Sequence, residues 1–263
     1  MLAFSKNWKG RVFFNVCGDE DRCKRLVLTS YVGHMRLVLF DIDGTLTDTM
    51  EVDAACFVRA YAEVCGFRDI DTDWSRYRHA TDSGIFYEIF ETRVGRLPTA
   101  EEISQFRRHF MRLLATASIE CPFAALPGAA RTLALLADSG VYRISLATGC
   151  WSDSARLKMA SAGMCYDDYP SASCDDAVER DSIIKLSMEK AKNRLGGPFL
   201  SSVYVGDGVW DARACRKVGI PFIGIGTGTR AETLIEEGAA VVVSDFSDSD
   251  LFLDHLDRIS RPA

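Results

Sequence analysis

Short apolar runs, each closed by polar residues or glycine, recur along the chain at Leu37–Phe40, Tyr142–Ala147, Val203–Val205, Pro221–Ile225 and Ala240–Val243. They are of strand length and rich in β-branched or aromatic residues. Helical patterns separate them. Leu126–Ser139 carries Pro127 near its start and Gly140 as a stop. Arg180–Leu195 spaces Ile183, Ile184, Ser187, Met188 and Ala191 helically and ends at Gly196-Gly197. Trp210–Val218 stops at Gly219 and Thr229–Glu237 at Gly238. Proline early and glycine just past the end are the usual helix punctuation.

Alternating strands and helices predict an α/β fold, a parallel sheet with helices on both faces. The expected core is a Rossmann-like, doubly wound sheet formed by residues 36–50 and 126–263. In such sheets, ligands collect where the strands end. Residues 51–125 break the alternation. They read as helices over Asp53–Cys65, Gly84–Val94 and Ala100–Ala117, with the stripe Phe106, Phe110, Leu113, Leu114 and Ala117 at helical spacing. An all-helical insert after the first strand predicts a cap over the edge of the sheet.

The 263 residues are 48% hydrophobic and 26% charged, with a formal net charge of −6. That composition excludes a collagen, a long coiled coil and a wholly disordered chain. The mild acidity argues against a nucleic-acid partner, and no apolar run approaches the ~20 residues of a membrane span. The nine cysteines (Cys17, Cys23, Cys56, Cys65, Cys121, Cys150, Cys165, Cys174 and Cys215) are odd in number and form no CxxC pair. They point to a reducing, cytoplasmic setting rather than to a zinc ribbon or a disulfide framework. Residues 1–35 carry a net +3, leaving −9 for the rest. They read as an N-terminal extension with two explanations: sequence upstream of a natural start at Met35, directly before the first strand, or a short appendage or organelle-targeting piece.

The candidate chemistry stands directly after the strand runs. Phe40-Asp41-Ile42-Asp43-Gly44-Thr45 brings two carboxylates out of the first strand. A calcium loop from Asp41 fails, since Thr45 and Val52 stand where it needs acidic ligands. A second acidic pair, Asp207 and Asp211, follows Val203–Val205. Thr148-Gly149 ends the Tyr142 run, and Arg180 opens the helix before Asp207. A nucleophilic carboxylate, an acid/base carboxylate, a hydroxyl, a cation and spare carboxylates for a divalent ion form a phosphoryl-transfer set. All-oxygen ligands favour Mg²⁺ over zinc.

These motifs, in this order, resemble the haloacid dehalogenase-like hydrolase superfamily, and the helical insert resembles its first cap type, as in phosphoglycolate phosphatase-like and β-phosphoglucomutase-like members. The resemblance implies that Asp41 is the nucleophile and forms an aspartyl-phosphate, with Asp43 as general acid/base. Thr148, Gly44, Thr45 and Gly149 would then contact the phosphoryl group, and Arg180 would neutralise it. It also implies that Mg²⁺ is held by Asp41, the backbone carbonyl of Asp43 and Asp207, with Asp211 in support. Lys185 competes for the cation position but lies more than a turn further along the helix. Asp43 favours a phosphatase over a carbon-attacking dehalogenase, whose leaving group needs no proton. The expected activity is therefore Mg²⁺-dependent hydrolysis of a small phosphorylated metabolite. The alternatives are a sugar phosphomutase, which keeps the same core residues, and a phosphate-binding regulator without turnover. Oligomeric state and substrate identity are not legible.

Other conspicuous residues carry plainer expectations. His34, His79, His109 and His255 form no metal spacing. Cys150 reads as a structural thiol, Gly224-x-Gly226-x-Gly228 as a strand-end turn, and Phe57, Tyr61, Phe86, Tyr87 and Phe90 as cap packing. The polar stretch Arg78–Gly84 has two readings: Thr81 or Asp82 caps the next helix, or both face the substrate's leaving group.

Overall fold

The computed structural model describes residues 35–261. The N-terminal extension therefore lies, up to residue 34, outside the described residues. Six parallel strands form one sheet in the order β3-β2-β1-β4-β5-β6. They are β1 (Arg36–Phe40), β2 (Tyr142–Ala147), β3 (Ser171–Ala172), β4 (Ser201–Gly206), β5 (Phe222–Ile225) and β6 (Val241–Val243). The order reverses at β1, whose last residue Phe40 is in register with Leu146 of β2 and Val205 of β4. The carboxyl end of β1 is thus the switch point where a doubly wound sheet opens a crevice.

Period-2 alternation in β1 divides the core between two faces. Leu37 and Leu39 pack in one layer with Ile183 and Ile184 of α6 (Arg180–Leu195) and with Ala212 and Cys215 of α7 (Val209–Val218). Val38 and Phe40 pack in the other with Leu133 and Leu136 of α4 (Ala129–Asp138) and Phe252 and Leu256 of α9 (Ser249–Ile259). The remaining core helices are α5 (Ser152–Ser161) and α8 (Gly228–Glu236).

Between β1 and β2 stand α1 (Met50–Ala60), α2 (Asp82–Val94) and α3 (Ala100–Glu120), with no strand among residues 51–123. The α1 helix runs into a turn of π-helix, Tyr61–Cys65, stopped by Gly66 at φ 76°. At the start of α3, the Thr99 hydroxyl accepts from the Glu102 amide while the Glu102 carboxylate accepts from the Thr99 amide. An aromatic cluster holds the three helices together. Phe106 lies 4.4 Å from Phe86 and 5.3 Å from Phe57, ring centre to ring centre. Trp151, on the loop after β2, enters the same cluster 5.8 Å from Phe110 and 6.0 Å from Phe57. The insert and the sheet therefore share one apolar layer.

Several boundaries differ from the sequence reading. α1 begins at Met50 rather than Asp53, because Thr49 and the acidic first turn open the helix one turn earlier. α4 begins at Ala129 rather than Leu126, because Gly128 sits at φ 78°. β3, α5 and α9 are additional elements. Among the described residues, no helix is long and apolar enough to cross a membrane.

Candidate active site

The turn after β1, which presents two carboxylates, is shaped by a set of backbone hydrogen bonds. The Asp41 amide donates to Val205 O at 2.9 Å, carrying the sheet one residue past β1. The amides of Leu46 and Thr47 both donate to Ile42 O at 2.9 Å, and that of Gly44 donates to Thr47 O at 2.8 Å. Gly44 has φ 68°, and a Cβ there would meet the Asp207 carboxylate at 2.2 Å. Glycine is required twice over, for the left-handed backbone and for the close approach.

Asp207 follows β4, and Asp211 lies in the first turn of α7, where its carboxylate accepts from the Gly208 amide at 3.2 Å and the Tyr204 hydroxyl at 3.2 Å. Asp41, Asp207 and Asp211 each bring a buried carboxylate oxygen within 4.8 Å of the others. Oδ1 of Asp207 is buried without a hydrogen-bond partner. Three converging hard-oxygen ligands, one with an unused buried lone pair, fit a magnesium ion. The backbone holds its own side of the site ready as well, with Asp43 beside Asp41.

The cation beside these carboxylates is Arg180. Its guanidinium lies 3.4 Å from Asp41 Oδ1 and 3.3 Å from Asp211 Oδ1. Lys185 points away, paired with Asp181 at 3.0 Å on the surface. Burial raises Asp41 above the ordinary carboxylate range, with Arg180 opposing it and Asp43 adding to it. Burial and then repulsion from Asp41 and Asp211 drive Asp207 well up. Burial outweighs Arg180 at Asp211, which is raised to about 7. Arg230 of α8, half exposed, reaches Asp207 Oδ2 at 3.0 Å.

Asp43 moves the other way. Burial works to raise it, but Lys158, the Cys150 thiol and the Thr49 hydroxyl together bring it below its usual value. Its Oδ2 accepts from Lys158 Nζ at 2.9 Å and from Cys150 Sγ, and its Oδ1 accepts from Thr49 Oγ1. Lys158 on α5 is fully buried and also pairs with Asp53 of α1. Despite that pair, burial takes Asp53 up to about 6. Burial, with Asp43 next to it, also keeps Cys150 well above its ordinary value, so the thiol stays a hydrogen-bond donor rather than a nucleophile.

Thr148, at the end of β2, lies on the same cavity and accepts from the Cys150 amide at 3.2 Å. A Cβ on Gly149 would come within 3.0 Å of both Ala80 O and the Arg180 guanidinium. Thr45 is fully buried, its hydroxyl without a partner. Thr81 caps α2, accepting from the Gly84 amide at 3.1 Å, while Asp82 accepts from the Trp151 amide at 2.9 Å; both line the cavity. The Asp82 amide also donates to Gly149 O at 2.8 Å, tying insert to core.

The sequence reading missed Lys158, Asp53, Trp74 and Trp210 at this site. Asp53 stands on a helix that the periodicity does find. Lys158 lies ten residues past Thr148 on a helix with a weak apolar pattern, and nothing local marks it.

The family model for a haloacid dehalogenase-like hydrolase matches residues 35–219. The chain belongs to that family and is a hydrolase. It is 26% identical over 215 residues to "Probable phosphatase IndB" of Dickeya dadantii, covering 80% of this chain and 89% of that one. In fold it is similar to a hydrolase from Pseudomonas syringae, with TM-score 0.66, 21% identity, and 85% and 99% of the two chains covered. It is likewise similar to CbbY from Rhodobacter sphaeroides in complex with phosphate, with TM-score 0.64, 21% identity, and 81% and 96% covered.

Proposed function

We propose that the chain is a Mg²⁺-dependent phosphatase that hydrolyses a small phosphorylated metabolite through an aspartyl-phosphate on Asp41. The observation that carries this reading is the buried meeting of Asp41 with Arg180, Asp207 and Asp211, and with Asp43 two residues on. Relationship to a protein named as a phosphatase, and a likeness in fold to one holding phosphate, support it.

Asp41 attacks phosphorus, and the bond from phosphorus to the leaving oxygen breaks. Asp43, in its protonated form, gives that oxygen its proton and is left as the carboxylate. The same carboxylate then takes a proton from water, which attacks the phosphorus and releases phosphate and free Asp41. Lys158, Thr49 and Cys150 hold Asp43 in one orientation between these steps. Arg180 and Thr148 face the charge on the phosphoryl oxygens. Magnesium, held by the carboxylates of Asp41, Asp207 and Asp211 and the carbonyl of Asp43, would screen the approach of one anion to another, which at ~4 Å and an effective dielectric near 20 opposes reaction by ~4 kcal/mol per pair of unit charges. The helices over Asp41 and Asp43 exclude bulk water from the site. A cytoplasmic setting belongs to the same reading, supported by seven unpaired cysteines among the described residues.

Replacing Asp41 with Asn tests this. Mg²⁺-dependent release of phosphate from p-nitrophenyl phosphate is expected to fall more than ~10³-fold, with thermal unfolding still cooperative. Turnover close to that of the unaltered protein would overturn the mechanism.

A further inference from the structure

The cavity between the insert and the sheet has two unlike halves. One holds the reacting groups. The other, where the leaving group of a phosphate ester on Asp41 must project, is walled by Phe57 of α1, Trp74 of the turn Trp74–Arg76, Ile85 of α2 and Trp210 of α7. Phe57 and Ile85 are buried, and Trp74 meets Phe57 edge-on at 6.0 Å. The open space of the whole cavity, both halves together, is about 70 Å³. Aromatic and aliphatic walls around so small a volume select a flat or apolar group. Nε1 of Trp210 is buried without a partner. An indole N–H donates one hydrogen bond and carries no charge.

The charges run against a second anion. Among the described residues that line the cavity, Arg180 is the sole cation, and it is paired with Asp41 and Asp211. Lys158 lies behind the wall, fully buried between Asp43 and Asp53. Arg230 lines the adjoining pocket on the far side of Met50 and Trp210, half exposed and paired with Asp207. The charged groups beside the apolar walls are carboxylates, Asp53 and Asp82. A carboxylate or second phosphate on the leaving group would lose water here and find no cation to offset that loss.

We propose that the site accepts phosphomonoesters whose leaving group is uncharged and presents an apolar or aromatic face to Trp74 and Phe57, and rejects esters that carry a second anionic group. This rests on the phosphatase reading above. It also sets the chain apart from a phosphomutase working through a sugar bisphosphate, which needs a cation for the phosphate that is not reacting.

The test is phosphate release by the full chain with saturating Mg²⁺ from four primary alkyl phosphates: benzyl phosphate, 4-carboxybenzyl phosphate, the bisphosphate of 1,4-benzenedimethanol, and ethyl phosphate. kcat/KM for benzyl phosphate is expected to exceed that for each of the other three at least tenfold. Trp74→Ala is expected to shrink the benzyl-to-ethyl ratio at least threefold. Equal or faster turnover of the carboxylated ester or the bisphosphate would overturn the proposal while leaving the phosphatase reading intact. So would a benzyl-to-ethyl ratio near one in the unaltered chain. Failure to hydrolyse any of the four with Mg²⁺ present would overturn the phosphatase reading and this inference with it.

Discussion

Lys158 has no water-exposed surface and three polar neighbours, Asp43, Asp53 and Cys150. A buried ammonium is tolerable only when paired. Burial alone would lower its pKa, yet Asp43 and Asp53 raise it well above the ordinary value, so it stays charged. Lys158→Met would leave two buried carboxylates facing each other without a counter-ion. It is expected to destabilise the fold by about 3–5 kcal/mol, read as a fall in the urea midpoint. Adding Asp53→Asn should recover part of that loss, since one of the stranded charges is then gone; a fully additive double variant would contradict the cluster. Legibility at this scale follows distance along the chain. Asp41, Asp43 and Gly44 form one turn, so their spacing announces them. The four members of the Lys158 cluster come from β1's turn, α1, the loop after β2 and α5, and only the folded chain brings them together.

Helices and strands are legible to the extent that one face of them is buried. β1, β2, β4, β5 and β6 are apolar runs and are found to within two residues. β3 has two residues, Ser171 and Ala172, and borrows its place from β2 through the Leu146 and Thr148 amides; nothing in Ser-Ala marks a strand. α5 buries Ser154 and Lys158 alongside Ala155 and Met159, so its inner face is not wholly apolar and its period is blurred. α9 differs, since Phe252 and Leu256 sit one turn apart behind an Asp248 cap, and its pattern is fully present in the residues. Turns carry comparable information. Gly128 precedes α4 at φ 78°, and a Cβ there would lie 2.0 Å from Phe246 O. Gly128→Ala is therefore expected to destabilise the protein by more than ~1 kcal/mol, the cost of strained backbone plus a displaced neighbour, whereas Thr99→Ala at the start of α3 should cost about 1 kcal/mol. Chemical denaturation of the two variants orders them.

For the whole molecule, the net charge of −6 conceals a strongly uneven distribution. Asp41, Asp207 and Asp211 are all raised by burial, Asp211 to about 7. A carboxyl whose folded value lies above its unfolded one contributes most below the unfolded pKa and loses that contribution as pH rises through the folded value. Without a divalent ion, these three groups should therefore weaken the fold progressively from about pH 4 to beyond pH 7. Magnesium binds the ionised form, so its stabilisation should grow over the same window. The Mg²⁺-induced rise in unfolding temperature is expected to be larger near pH 8 than near pH 5. An equal rise at both would contradict the ligand set.

Trp151 has a further consequence, once its place between insert and sheet is considered. Trp74 on the insert and Trp210 on the sheet side line one cavity, and Trp151 packs on Phe57, whose ring lines it too. Their emission is thus a local signal. It reports first on the packing of insert against sheet and on whatever occupies the space between them. With Trp8 replaced by Phe, a fluorescence-monitored melt follows the parting of that seam, while circular dichroism follows the helices, and the gap between the two midpoints measures how far the seam yields ahead of the rest.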